Sequence, residues 1–392
     1  MFENRISPLA SNLCSQKQPF AAIPILRRSV KPIRFYFFLS CIDFSDEKCT
    51  IRVREKILLV AYNILWILNL ASKISCFRVS FVDVNSFSLI SKFLSYILWC
   101  IVYRRKAFLK HFLDEVCDLT QLIRLKDKNR LAVGLKASIA LLMAAIFVKS
   151  TYTAIRILIG VRLDAIYNKR DTCRIFQIHL HSRSEKAIAK FITRLLDHYV
   201  DWNIQFAVAV MYCFCCSEIE RAICNLCNQQ QWFLSQDIWQ RYYTIRKCVQ
   251  VLEERFSLPI FIFCMRSFVE FFRLLSHSLD RARTKGLTKF SVQSGMYSLV
   301  ILVVFVVVIV RANSLMESYK KLCRKMIAVS EDVLYQNDDF EMNRRWILMM
   351  DDKCNIGLSA WGMFYLKKKL FITAVASVVS YGVILYQFRG LQ

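Results

Sequence analysis

The segment Leu299-Val-Ile-Leu-Val-Val-Phe-Val-Val-Val-Ile-Val310 contains no polar side chain. With the residues just before it, it forms an apolar segment, 296–310, that predicts a membrane-spanning helix with lipid or apolar neighbours on all sides. A chain inside a bilayer must satisfy its backbone hydrogen bonds internally, and helices do so within one segment. We therefore predict an all-α fold.

The composition of the whole chain supports this prediction. Of its 392 residues, 56% are hydrophobic and 22% are charged, and the mean hydropathy is +0.34. The chain has 8 Gly and 5 Pro, which leaves little room for the turns of an all-β fold. The net charge is +25, but Lys and Arg fall mostly between the apolar runs, where anionic lipid headgroups would meet them. We expect contacts with membrane lipid and no nucleic-acid partner.

A bilayer-spanning helix needs about 20 mostly apolar residues, and this criterion predicts a seven-transmembrane helical bundle. The predicted spans are residues 57–77, 81–103, 131–152, 195–216, 256–277, 296–310 and 370–388. The apolar block 33–42 is too short to cross and is interpreted as an interfacial or re-entrant segment. The stretch 104–130 has apolar residues at helical spacing, which predicts an amphipathic extension of the second helix.

These spans divide the chain into four predicted parts. They are a cytosolic N-terminal segment with an interfacial helix (1–56), helices 1–6 forming a ligand-sensing bundle (57–310), a cytosolic helical anchor region (311–369) and a pore-lining helix 7 (370–392). Most Lys and Arg lie on the inner side if the N-terminus is cytosolic, which is the arrangement that membrane insertion favours. We therefore predict an inside N-terminus, an outside C-terminus and long cytosolic helical extensions.

The sequence predicts no catalytic residue, metal or cofactor. Cys224 and Cys227 have a spacing seen in zinc sites, but no second pair or nearby His completes four ligands, so a thiol cluster at a helix end is the better interpretation. No phosphate loop, metalloprotease helix or serine-nucleophile motif occurs. In the fifth span, Arg266 and Glu270 lie one turn apart, so they can pair on one face, either as an intramembrane ion pair or in a water-filled cavity.

The last span has polar and small residues at helical spacing on one face: Thr373, Ser377, Ser380, Ile384 and Gln387. In an oligomer this face could line an aqueous pore, with a ring of Ile384 closing it by dewetting and a ring of Gln387 meeting ions. Alternatively, the small residues pack tightly against another helix, as is common in membranes.

The end of this span, Ser380-Tyr-Gly-Val-Ile-Leu-Tyr-Gln-Phe388, resembles the signature of arthropod gustatory receptors, which is Thr-Tyr, five hydrophobic residues and Gln-Phe. Ser380 stands where the signature has Thr, and Gly382 is a small member of the hydrophobic five. The signature also lies in the last helix of those receptors. The chain length, the seven spans, the inside N-terminus and the long cytosolic helices agree with the same family.

The resemblance implies a homo- or heterotetramer of gustatory receptors that forms a ligand-gated, cation-permeable channel in the plasma membrane of chemosensory neurons. The last helices of four subunits would surround the pore. By position, Gln387 and Phe388 are implied as gate and filter, with Ser380 and Tyr381 one to two turns deeper. Whether Ile384 or Phe388 forms the narrowest ring is open from the stripe, and the resemblance favours Phe388.

The resemblance further implies that a small-molecule tastant binds in an outward-facing cavity within the first six helices. Aromatic rings can pack against a ligand and a few polar groups can orient it. The candidates in the outer halves of the spans are Tyr152, Asp201, Trp202 and Glu270. Two alternative functions are a G-protein-coupled type of seven-transmembrane receptor, and a transporter or auxiliary subunit.

Overall fold

The computed structural model describes residues 84–122, 183–228, 236–285, 292–334 and 357–390, together with Thr151, Ile155 and parts of residues 33–67. Six helices and two short strands have defined bounds. They are α1 (Val84–Arg104), α2 (Lys106–Leu122), α3 (Arg183–Asn228), α4 (Gln236–Lys285), α5 (Val292–Leu334), β1 (Ser359–Ala360), β2 (Phe364–Tyr365) and α6 (Lys368–Gly390).

Five of the seven predicted spans fall on these helices: the second on α1, the fourth on α3, the fifth on α4, the sixth on α5 and the seventh on α6. Within the first predicted span, residues 59–67 are helical. The third predicted span, apart from Thr151, and most of the block 33–42 lie outside the described residues.

Three of the helices are much longer than a bilayer is thick. Helices α3, α4 and α5 have 46, 50 and 43 residues. At about 1.5 Å per residue these helices are about 65–75 Å long, against about 30 Å for the hydrocarbon core. Among the described residues, Phe87–Arg104 and Leu299–Ala328 are long and apolar enough to cross a membrane, with mean hydropathies of 1.3 and 2.6.

Residues 299–310 of α5 have a packed side and an exposed side, although this part of the sequence is apolar all round. Ile301, Phe305 and Val308 are buried where α5 packs on α3 and α4, whereas Leu299 and Val303 are about half exposed. Aliphatic side chains that stay uncovered on one face of a helix suit a surface that contacts lipid.

Pro259 lies inside α4, and a contact from the junction between α1 and α2 compensates for the hydrogen bond that it removes. Proline has no backbone N–H, so the carbonyl four residues earlier, that of Arg255, loses its helical partner. Arg105, at the junction of α1 and α2, donates from its guanidinium Nη1 to this carbonyl oxygen at 3.0 Å. The helix therefore continues through Pro259 with the freed carbonyl satisfied.

A buried polar cluster joins α1 to α4. Ser91 on α1 donates its hydroxyl to the carboxylate of Glu270, and Arg266 Nε donates to Ser91 Oγ at 3.2 Å. The direct ion pair of Glu270 is with Arg273, at 2.6 Å between Nη2 and Oε2. The sequence analysis predicted that Glu270 pairs with Arg266. In the structure, Arg266 donates to the Ser91 hydroxyl, which in turn donates to the Glu270 carboxylate. Glu270 is 2% exposed and Arg266 is 0% exposed.

A β-hairpin precedes α6, in a region for which the sequence predicted helices alone. Ser359 pairs with Tyr365 and Ala360 with Phe364, in antiparallel register. Three residues connect the strands, and the first two of them, Trp361 and Gly362, have φ of 54° and 71°. Positive φ at both positions is typical of the type I′ hairpin turn, and it strains a bulky residue such as tryptophan.

We expect Glu270→Ala to lower the free energy of unfolding by about 3–5 kcal/mol, because it removes the carboxylate that balances buried arginine charge. The measurement is denaturant or thermal unfolding of the purified protein in detergent. The control is Glu317→Ala, which breaks an exposed pair with Lys368, at 3.5 Å, and should change stability by less than about 1 kcal/mol. Equal losses in the two variants would contradict a dominant role for the buried cluster.

Candidate pore-lining helix

Helix α6 lies against α4 and α5 along one side only. Ala374 and Gly382 are buried, while Leu370 and Tyr381 are half-buried. The remaining described positions are mostly exposed, so more than half of the helix circumference has no neighbour among the described residues.

The predicted polar stripe lies on this exposed side. All five residues of the stripe are exposed in the described structure: Thr373, Ser377, Ser380, Ile384 and Gln387. The stripe therefore points away from α4 and α5, and its small residues do not pack against either helix.

Two hydroxyl groups of the stripe bond to their own helix. Thr373 Oγ1 donates to the carbonyl of Lys369 at 3.1 Å, and Ser377 Oγ donates to the carbonyl of Thr373 at 2.9 Å. Each hydroxyl thereby uses its one proton, and its oxygen lone pairs stay directed outward as acceptors. A column of such oxygens can coordinate water or cations.

A second exposed strip consists of aliphatic residues. Ile372, Val375, Val379 and Val383 are between 41% and 68% exposed. At 3.6 residues per turn, this strip is centred about a third of a turn from the polar stripe. The free side of α6 thus has two chemically distinct surfaces, one suited to water and one to apolar neighbours.

Tyr381, a predicted gate residue, lies on the packed side of α6. Its ring meets the ring of Phe272 on α4 edge-on at 4.7 Å between centroids and that of Phe87 on α1 at 6.4 Å. One residue on, a Cβ added to Gly382 would lie 2.8 Å from Leu275 Cδ2. Glycine here allows α4 and α6 to approach closely. The side chain of Phe388 lies outside the described residues.

The start of α6 carries an exposed charge pair with α5. Lys368 Nζ lies 3.5 Å from Glu317 Oε1, and Asn313 donates to the same carboxylate at 2.5 Å. The hydrogen bond from Asn313 and the charge of Lys368 lower the pKa of Glu317 below its ordinary value. This carboxyl therefore stays ionised at neutral pH.

Of the predicted ligand-binding residues, the structure describes the side chains of Trp202 and Glu270. Trp202, on α3, is 5% exposed and its ring packs on Phe206 at 5.5 Å. Glu270 belongs to the buried cluster with Ser91 and Arg273. The side chains of Tyr152 and Asp201 lie outside the described residues.

Two buried amide side chains on α3, those of Asn203 and Gln205, were not predicted as site residues from the sequence. Asn203 follows Trp202, is 0% exposed, and neither its amide nitrogen nor its oxygen has a hydrogen-bond partner among the described residues. Gln205 Nε2 donates to Ser267 Oγ on α4 at 3.3 Å. Both lie within a predicted apolar span, where a buried amide is costly unless it is bonded. The presence of these two amides in an otherwise apolar span was the sequence feature that could have identified them as candidate site residues.

The thiols of Cys224 and Cys227 lie near the end of α3, the first exposed and the second half-buried. Within the part of the chain that the structure describes, no three His, Cys, Asp or Glu side chains lie close enough to hold a metal ion.

No family model matches the chain, and no curated protein matches it in sequence. Solved structures do match: the chain has the all-α, seven-helix fold of insect olfactory receptors. Two similar structures are of the olfactory receptor OR5 from Machilis hrabei. The complex with eugenol has a TM-score of 0.58 at 14% identity, and the structure without it 0.60 at 12%. Each comparison covers 93% of this chain and 99% of the receptor. The prediction of an all-α insect-type chemoreceptor fold is confirmed.

We expect Gly382→Leu to cost about 1–3 kcal/mol of stability, because the larger side chain overpacks the contact with Leu275. Adding Leu275→Ala should recover at least half of that loss, measured by unfolding in detergent. The control is Ala376→Leu, on the exposed side of α6, which should have little effect. Failure of the double variant to recover would show that the close contact is not what requires glycine.

Proposed function

We propose that this protein is a gustatory receptor that acts as a ligand-gated, non-selective cation channel, with α6 lining the pore. The observation that carries the proposal is the exposure of the whole polar stripe on α6. Four copies of this helix, from one or several kinds of subunit, would turn their hydroxyl groups and Gln387 toward a shared aqueous path. The protein would lie in the plasma membrane of chemosensory neurons.

The two surfaces of α6 support an oligomeric pore. A polar stripe facing lipid would be costly, whereas an aqueous lumen solvates it. The aliphatic strip beside it would then meet a neighbouring subunit or lipid. A ring of Ile384 could close the path by dewetting, and Gln387 would present amide oxygens to passing cations. The fold of insect olfactory receptors and the signature ending in Gln387-Phe388 support this over the G-protein-coupled and transporter alternatives.

The test compares two adjacent residues of α6, Ser380 from the polar stripe and Val379 from the aliphatic strip. We expect a positively charged thiol reagent to block most of the ligand-evoked current through Ser380→Cys and to leave Val379→Cys unaffected, because only the first faces the water-filled path. Both positions are exposed in the single chain, so exposure alone does not separate them.

The unsubstituted protein, which has 16 cysteines of its own, sets the background of the reagent. Block of Val379→Cys with none of Ser380→Cys would place the pore on the other strip and contradict the proposal. Surface labelling of each variant confirms that it reaches the membrane.

We also propose that the ligand meets α3 at Trp202 and Asn203, in the outer part of the bundle. The aromatic ring can pack against a small organic molecule, and the buried amide can both donate to and accept from a ligand hydroxyl group. In the similar receptor from Machilis hrabei, the bound molecule is eugenol.

Asn203→Leu, a change of similar size, should raise the ligand concentration for half-maximal current about tenfold or more, since one good hydrogen bond is worth about 1.4 kcal/mol. Reversal potentials under mixed cations should stay the same. Val210→Leu, on the same helix and half-buried, is the control. An unchanged dose response in Asn203→Leu would remove Asn203 from the ligand site.

A further inference from the structure

The hairpin formed by residues 358–366 depends on α4 for its shape. Its strands are two residues long, and a hairpin this short does not hold its conformation alone. Its strained turn is fixed from outside: Trp361 N–H donates to Ser257 Oγ on α4 at 2.6 Å, and its ring packs on Phe261 at 5.5 Å. A backbone held at positive φ persists only where its surroundings impose it.

Glu253, one turn before Ser257 on α4, holds the first strand. Its carboxylate accepts the backbone N–H of Ser359 at 2.8 Å and also the Ser359 hydroxyl. The same Ser359 Oγ accepts the N–H of Gly362 at 3.0 Å. A chain of hydrogen bonds therefore runs from the turn through Ser359 to one carboxylate on α4.

Only two residues, Leu366 and Lys367, lie between the second strand of the hairpin and α6. Leu366, 2% exposed, donates its N–H to Leu358 at 2.9 Å and extends the hairpin ladder. Lys367 then donates to the carbonyl of Tyr365 at 2.8 Å, and α6 begins at Lys368. Two residues span at most about 7 Å, so the first turn of α6 follows any displacement of the hairpin.

Helix α4 also contacts α6 directly, farther along both helices. Phe272 and Leu275 of α4 meet Tyr381 and Gly382 of α6. Between Ser257 and Phe272, α4 rises about 22 Å, so its two attachments to α6 lie far apart along the helix. A shift or tilt of α4 thus acts on both halves of α6.

We propose that Glu253 and Ser257 are positioning residues for the pore: through the hairpin they fix the cytosolic end of α6 to α4, so that movement of α4 moves the pore-lining helix. This role rests on the proposed channel function, whereas the attachment itself can be measured without current.

The titration of Glu253 gives the attachment a pH dependence of known sign. Burial raises the pKa of this carboxyl above its ordinary value, against the opposing hydrogen bonds from Ser359. The attached state therefore binds the proton more tightly than a released, hydrated one, and acidification strengthens the attachment. On α3 the phenol of Tyr212 faces Glu253, and on α4 the adjacent Glu254 is exposed and bonded to Gln250.

The first measurement is hydrogen exchange of the purified full chain in lipid nanodiscs. Glu253→Ala should speed amide exchange about tenfold or more in residues 358–373, which include the first turn of α6, because it releases Ser359. Glu253→Gln keeps an acceptor and a donor for Ser359 and should exchange like the parent protein. Glu254→Ala is the matched control and should also leave exchange unchanged. Parent-like exchange in Glu253→Ala would overturn the proposal.

The second measurement is current in excised patches with the cytosolic face exposed. Glu253→Ala should raise the ligand concentration for half-maximal opening at least about fivefold, with unchanged single-channel conductance and reversal potential. Cytosolic acidification should shift the parent protein toward easier opening, and Glu253→Gln should not respond to it. Faster exchange in Glu253→Ala with unaltered gating would overturn the role in coupling. A parent protein that conducts nothing, both alone and with co-expressed related subunits, would instead refute the channel function, and the exchange data would still decide the attachment.

Discussion

The bond from Ser91 to Glu270 is the interaction on which the packing of the described helices depends. A carboxylate and arginine side chains buried together are tolerated only where their geometry is closely satisfied, so the cluster fixes the register of α1 against α4. That register in turn brings Phe87 and Phe272 into contact with the ring of Tyr381. The position of α6 thus follows from a polar contact between two other helices.

Helix α4 is the element through which these constraints meet. It packs against α1, α2, α3, α5 and α6, and against the first hairpin strand. Pro259 leaves one backbone carbonyl without a helical partner, and Arg105 donates to it. Glu253 accepts hydrogen bonds from the hairpin, and Glu270 accepts one from α1. A helix bonded to so many partners has few independent movements.

The apolar spans and the polar stripe could be predicted from the sequence because each is a local periodic pattern. The stripe from Thr373 to Gln387 needs only helical geometry to be assigned to one face. The hairpin at Ser359–Tyr365 could not, since Trp361 adopts positive φ only with Ser257 and Phe261 beside it. Likewise, Glu270 pairs directly with Arg273 because Ser91 of α1 lies between Glu270 and Arg266. The spacing of residues along α4 gives no information on the position of Ser91.

The separation of the cluster along the chain bears on how the protein is made. Ser91 and Glu270 are 179 residues apart, and Arg105 and the carbonyl that it bonds are 150 apart. At about 5–20 residues per second, α1 leaves the ribosome roughly 10–35 s before its partner helix is complete. During that interval the polar side chains of α1 have to be hydrated or held by other factors. The contacts that hold the finished protein together therefore leave the polar side chains of α1 without their partners while synthesis is still under way, and cellular quality control can act on the chain during that time.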